Sequence, residues 1–249
     1  MGTELIRGWR LERSSLLTRE TAILFLAAAA AWLVVLYQAQ GMSAMGAVMG
    51  VGPAAFILLW VLMMAAMMLP SLAPVATPYA RTAGGSPLAV LAAVAIGYLA
   101  VWAVIGALAF AIASFAASFA MDRPGAGRIM AIGAFVILAL YQLSPIRRAC
   151  LLLCRSTFER APRATGNPLA GLAAGARYGL VCVGSSWALM LVMVPVGFMN
   201  IALMLVLAAV VFVERFWSRG LALARVVGVI ALLLAAASIW APQLSHNLS

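Results

Sequence analysis

The chain has 249 residues, 66% of them hydrophobic and only 9% charged, and its formal net charge of +10 is carried by 16 basic residues, all arginine. An average soluble domain is roughly 25% charged, and one soluble core of this size cannot bury so many apolar side chains; a disordered, collagen-like or disulfide-scaffolded protein is excluded. The arginines flank apolar runs, so they are read as membrane-orienting charges; the expected partner is a lipid bilayer and not nucleic acid.

In chain order, residues 1–21 form a polar cytoplasmic segment in which Arg7, Arg10, Arg13 and Arg19 are mixed with Glu4, Glu12 and Glu20. A first apolar run covers about 22–37. No small-x-small cleavage site follows Tyr37, so the run is read as a retained helix and not as a signal peptide. The second run, 54–69, stops at Pro70. The third, 88–119, starts after Gly84-Gly85-Ser86-Pro87 and is long enough to tilt or extend beyond the bilayer. The fourth, 127–143, ends at Ser144-Pro145, and an Arg/Cys-bearing cytoplasmic loop follows over 144–175. The fifth (176–194) ends at Pro195, the sixth covers 197–213, and the seventh (223–241) ends at Pro242, with 242–249 as an outer tail. The expectation is an all-α polytopic membrane protein: about seven transmembrane helices in a membrane domain over 22–241, plus one cytoplasmic amphipathic helix.

Arginine placement sets the orientation. With the N-terminus inside, every arginine except Arg123 and Arg128 falls on the inner side. That bias predicts a cytoplasmic N-terminus and an outer C-terminus. No Asp, Glu, Lys or His lies within a predicted span, which argues against proton-coupled transport and against an intramembrane hydrolase. Ser185 and Ser186 have no His or Lys nearby in sequence to activate them, and no phosphate-cradling glycine loop is present. The chain is not expected to be an enzyme.

What the spans do contain is soft sulfur. Of 14 methionines, seven lie between positions 42 and 68. Met42, Met45 and Met49 fall in an outer connection. Met63, Met64, Met67 and Met68 form two i, i+4 pairs in the second span. Cys182, Ser186, Met190 and Met193 make one stripe of the fifth span. Cys150 and Cys154 are one turn apart after Pro145, on a face shared with Ile146, Leu153 and Phe158. Arg147, Arg148 and Arg155 lie largely off that face, so the segment reads as an interfacial helix presenting two thiols toward the membrane. Thioethers and thiolates select Cu(I) among abundant metals. Methionine and cysteine also fill apolar cores without binding anything. The metal candidates are Met63, Met64, Met67, Met68, Cys150, Cys154, Cys182 and Met190.

Three blocks carry a family resemblance. The first is Trp60-Val61-Leu62-Met63-Met64-Ala65-Ala66-Met67-Met68-Leu69-Pro70. The second is Tyr141-Gln142-Leu143-Ser144-Pro145 running into Cys150-x-x-x-Cys154-Arg155. The third runs from Gly179 through Cys182-Val183-Gly184-Ser185-Ser186-Trp187 to Gly197-Phe198-Met199-Asn200, Met204 and Glu214-Arg215. At these residues the chain resembles the predicted metal-binding integral membrane proteins, domain of unknown function 2182, often labelled copper chaperone. The resemblance implies a bacterial inner-membrane protein with a metal site. Many members carry two cysteines where this chain has Ser185-Ser186, and hydroxyls are poor Cu(I) ligands. Two functions remain open at this stage: Cu(I) transport, chaperoning or delivery to a cuproprotein partner, and a non-enzymatic scaffold or assembly subunit of a larger membrane complex.

Overall fold

A computed structural model describes residues 19–40, 52–81, 86–122, 125–159, 167–197 and 200–240. Within them the chain is helical and has no strand. The helices are α1 (Arg19–Gln40), α2 (Pro53–Arg81), α3 (Pro87–Asp122), α4 (Ala126–Leu143), α5 (Pro145–Glu159), α6 (Pro168–Leu191), the single turn α7 (Met193–Val196), α8 (Ile201–Phe216) and α9 (Gly220–Trp240).

Small residues decide how the helices pair. A Cβ on Gly97 would stand 2.1 Å from the carbonyl oxygen of Leu172, and one on Gly175 would stand 2.0 Å from that of Val94. Backbone therefore meets backbone between α3 and α6, the close approach that glycine permits between helices in lipid. Gly171 meets Val90, Gly175 meets Val94 and Tyr98, and Gly179 meets Tyr98 and Val101. The two numberings rise together, so α3 and α6 run parallel. Other neighbours run antiparallel. Thr21 at the start of α1 hydrogen-bonds Thr77 near the end of α2 at 3.1 Å. Phe56 early in α2 packs on Phe110 late in α3. Arg128 at the start of α4 donates to the carbonyls of Ser238 and Ile239 at the end of α9.

Seven long helices thus alternate between two ends, and α5 follows α4 without crossing back. One end holds the start of α1, the end of α2, the start of α3 and the α8–α9 turn. The exposed arginines Arg81, Arg148, Arg177, Arg219 and Arg225 lie toward it. Arg128 lies at the opposite end. There the chain turns from α6 to α8 through Gly197, whose φ of 105° suits glycine, and Asn200 caps α8 by accepting from the Leu203 amide at 2.9 Å.

The central helix is α2, where every residue from Met63 to Leu69 is buried. It differs from the expectation in length. Pro70 does not end it: the helix continues through Pro70, Pro74 and Pro78 to Arg81. The prolines are four apart, so each lacks the N–H that would bond the carbonyl four residues back. In a membrane helix neighbouring groups make good such losses.

Five helices are long and apolar enough to cross a membrane by length and composition: α1, α2, α3, α4 and α9. The expected fifth and sixth spans coincide with α6 and α8. Of these, α6 carries Arg177 and two serines, and α8 has 16 residues where a perpendicular crossing takes ~20. Within the expected segment 144–175 the helix anticipated after Pro145 is α5 over 145–159, whereas α6 begins at Pro168, ahead of the expected start of the fifth span at 176.

Replacing Gly97 or Gly175 by alanine is expected to destabilise the bundle by about 1–3 kcal/mol, because a methyl group would be driven into a carbonyl. Gly133 in α4 has open space where its Cβ would stand, so Gly133→Ala is expected to be neutral or slightly stabilising. Thermal melts in detergent check this; equal losses at Gly133 and Gly175 would refute the close approach.

Candidate functional site

The last turn of α8 places two ionised side chains inside the bundle. Glu214 is 1% exposed and Arg215 is 4% exposed. With the sixth span expected to end at 213, both residues fall outside it. The helix runs on to Phe216 and buries them.

Arg215 reaches from α8 to two other helices. Its Nη1 donates to Ser71 Oγ of α2 at 2.8 Å and makes a longer contact of 3.5 Å with the Tyr178 hydroxyl of α6. Its Nη2 donates to Cys182 Sγ at 2.8 Å and to Ser185 Oγ at 3.1 Å, both on α6. Tyr98 of α3 brings its hydroxyl to Cys182 Sγ at 2.9 Å. On the other side, Cys154 of α5 points its thiol at the Tyr178 oxygen at 3.7 Å, and the Tyr178 hydroxyl donates to the Ser71 carbonyl at 3.0 Å. Two buried thiols from different helices therefore meet one tyrosine–arginine pair. Burial pushes the Cys154 thiol above its ordinary pKa, and the nearby Arg215 guanidinium offsets part of that rise.

Beside this cluster stands a second one. Arg147 of α5 forms an ion pair with Glu214 and donates through Nε to Gln142 Oε1 at 2.7 Å. Gln142 in turn donates to Glu214 Oε1 at 3.0 Å. Ser144 caps α5 by accepting from the Arg147 amide at 3.1 Å, with Pro145 as the first helical residue. This overturns the expected face of α5. Arg147, Leu151 and Cys154 point inward, whereas Ile146 and Leu153 are more than half exposed. A buried carboxylate requires a partner, and Arg147 supplies it, so Arg147 and Cys154 face the bundle while Ile146 and Leu153 stay on its outer surface, and the expected grouping of both thiols with these apolar residues is split.

The candidate ligands separate into groups. Cys154 and Cys182 join at the Arg215 cluster. Cys150 stays outside it: its Sγ lies against Gly184, 3.5 Å from where a Cβ there would stand, and it is only partly buried. Met63, Met64, Met67, Met68 and Met190 are all buried in the same continuous core as the two thiols. Because α2 is buried on all sides over that stretch, inward placement does not single the methionines out as ligands. Met42, Met45 and Met49 lie outside the described residues. Among the described residues, no group of three or more His, Cys, Asp or Glu is disposed to hold a metal. Ser185 and Ser186 both donate to the Cys182 carbonyl, at 2.9 and 2.8 Å, and Ser185 alone also accepts from Arg215.

Sequence reasoning missed Ser71, Tyr98, Tyr178, Arg147, Gln142 and Arg215 as site residues. A usable signal existed only for the last: Glu214-Arg215 directly follows an apolar run with no intervening turn residue.

The site thus lies in a bundle of apolar helices, with two thiols and a buried cation toward its arginine-rich end. Residues 57–238 match the PpoB2 family model, described as copper chaperone, and the chain belongs to this family. Comparison with curated proteins and with solved structures gives no match.

The burial pattern orders thiol reactivity. In folded, detergent-solubilised protein a maleimide is expected to modify Cys150 first and to reach Cys154 and Cys182 only on unfolding. Peptide mass spectrometry over a labelling time course reads this out. Equal labelling of all three in the native protein would contradict the burial of the pair.

Proposed function

We propose that this chain is a non-enzymatic Cu(I)-handling protein of the bacterial inner membrane that holds the ion between Cys154 and Cys182 for delivery to a cuproprotein. The observation that carries the reading is the convergence of these two buried thiols on Tyr178 and Arg215. Copper here is cargo. Two thiolates satisfy the low coordination number and soft character of Cu(I), and the cluster holds no imidazole to favour a harder ion. Membership of a copper chaperone family supports a copper-related role.

The methionines extend the reading. Along α2, Met63, Met64, Met67 and Met68 precede Ser71, and Met190 of α6 and Met193 of α7 follow Cys182. Thioethers therefore occupy the part of the core toward the arginine-poor end, and thiols the part toward the arginine-rich end. Thioethers need no deprotonation and hold Cu(I) loosely, which suits entry from an oxidising side. Thiols suit a reducing side.

Seven crossings with the N-terminus in the cytoplasm fit this arrangement. The alternation of seven long helices between two ends supports the count, and the exposed arginines at one end support the orientation. The family's Ser185-Ser186 difference does not remove the site in this reading, because the two sulfurs come from Cys154 and Cys182.

Anaerobic Cu(I) titration against a competing chelator tests the assignment. Cys154→Ser and Cys182→Ser are each expected to weaken binding by more than the roughly 10–100-fold typical of losing an outer-shell partner. Cys150→Ser is expected to leave it unchanged. If the variant lacking both Cys154 and Cys182 binds as the wild type does, the sulfurs are packing atoms and the scaffold reading replaces this one.

Topology has its own test. A phosphatase fused after Ser249 is expected to be active, and a fluorescent protein fused there dark. The reverse pattern would place the arginine-rich end outside.

A further inference from the structure

The charges buried around the thiols do not balance. Among the described residues the buried ionised side chains are Arg147, Glu214 and Arg215: two guanidiniums against one carboxylate. Glu214 is engaged by Arg147 and Gln142. The hydrogen bonds of Arg215 go to two serine hydroxyls, a tyrosine hydroxyl and a thiol. Nη1 of Arg147 is also buried without a hydrogen-bond partner. Positive charge here exceeds the acceptors provided, and a buried charge is tolerated only when paired.

We infer that Arg215 is the counter-charge of an anionic metal–dithiolate complex and makes the Cys154–Cys182 site selective for a monovalent soft ion over a divalent one. The inference rests on the proposed Cu(I) reading and deepens it. A monovalent ion entering between two thiols displaces two protons and leaves a complex of charge −1. That charge cancels the excess of one guanidinium, so the buried cluster becomes neutral. A divalent ion held by the same two sulfurs gives a neutral complex and leaves the excess uncompensated. The geometry suits the first case. Arg215 Nη2 and the Tyr98 hydroxyl stand 2.8 and 2.9 Å from Cys182 Sγ, so both can donate to a sulfur that carries negative charge. Arg215 is a positioning and charge-compensating residue in this scheme and does not itself ligate the ion.

The test compares Ag(I), a monovalent stand-in for Cu(I), with Hg(II), which also takes two thiolates. Affinities of the full-length protein are measured by competition with dithiothreitol. In Arg215→Gln, Ag(I) binding is expected to weaken roughly 10–100-fold while Hg(II) binding changes far less. Arg215→Lys, which keeps the charge, is expected to recover most of the Ag(I) affinity. A merely structural role would weaken both ions alike, and that result would overturn the inference. The wild-type protein supplies a readout independent of whether the variants fold: its ratio of Ag(I) to Hg(II) affinity is expected to exceed that of dithiothreitol itself, and an equal or lower ratio would also overturn it. Loss of the pair reading is distinguishable, because then Cys154→Ser and Cys182→Ser would leave Ag(I) binding intact.

Discussion

One buried guanidinium organises the functional half of this bundle. Moving a charged side chain out of water costs several kcal/mol even after relaxation, and the cost is recovered only if the donors find acceptors. Arg215 finds them on α2 and α6, while a third helix, α3, closes the cluster through Tyr98 and Cys182. The requirement constrains more than one residue. Ser71 must sit inside a helix that runs past Pro70. Tyr178 must face α2, and Ser185 must turn toward α8. The register of three long helices is therefore tied to one side chain in a medium where apolar packing alone discriminates registers weakly.

The neighbouring ion pair does the same for α5. Arg147 is oriented by the Ser144 cap and by the carboxylate of Glu214, and its inward position sends Cys154 inward two turns later. Cys150, one turn earlier than Cys154, meets Gly184 in place of Tyr178. The one-turn spacing of the two cysteines thus places them at different levels of α6, and the partner of Cys154 comes from another helix. Adjacent residues of α8 divide the work: Glu214 holds α5 and α4, and Arg215 holds α2 and α6. Such an arrangement positions the Cys154 thiol through polar contacts made on the same helix, so the position of that sulfur depends on the ion pair as well as on packing.

Much of the helical layout can be read from the sequence, and the reasons are physical. Apolar runs bounded by Gly, Pro and Arg mark where backbone can be buried in lipid, so α1, α3, α4 and α9 fall close to their expected limits. The end of α2 was not readable, because proline reports a lost hydrogen bond but not whether neighbouring groups make the loss good. The face of α5 was legible only in part: hydrophobicity groups Ile146 and Leu153 with both thiols toward the membrane, whereas Cys154 turns into the bundle together with Arg147, which pairs with the buried Glu214. Of the site, the cysteines stood out by their chemistry. Tyr98 and Tyr178 did not, since an aromatic residue in an apolar helix carries no mark of the hydrogen bond it will make. The approach of Cys154 to Tyr178 and of Cys182 to Arg215 is a tertiary feature, because only the α5–α6 packing brings residues 28 positions apart to one cluster.

The two serines, Ser185 and Ser186, change meaning once their contacts are known. Taken alone, hydroxyls at 185 and 186 in place of thiols subtract ligands from a metal site. In the fold, Ser185 Oγ accepts from Arg215 at 3.1 Å and donates to the Cys182 carbonyl at 2.9 Å, while Ser186 Oγ donates to the same carbonyl at 2.8 Å. A hydroxyl is a better acceptor for a guanidinium than a thiol, which is only a weak one. Ser185 thus shares in solvating Arg215, and the sulfur of Cys182 is not its only partner on α6. On the proposed reading this matters for charge as well as for hydrogen bonding. Two thiolates and one monovalent ion give a complex that a single guanidinium neutralises, whereas a third or fourth thiolate at 185 or 186 would add negative charge that this cluster has no further cation to match without drawing Arg147 away from Glu214. The serines are therefore consistent with a site of two sulfurs, and the buried charges around it match that number.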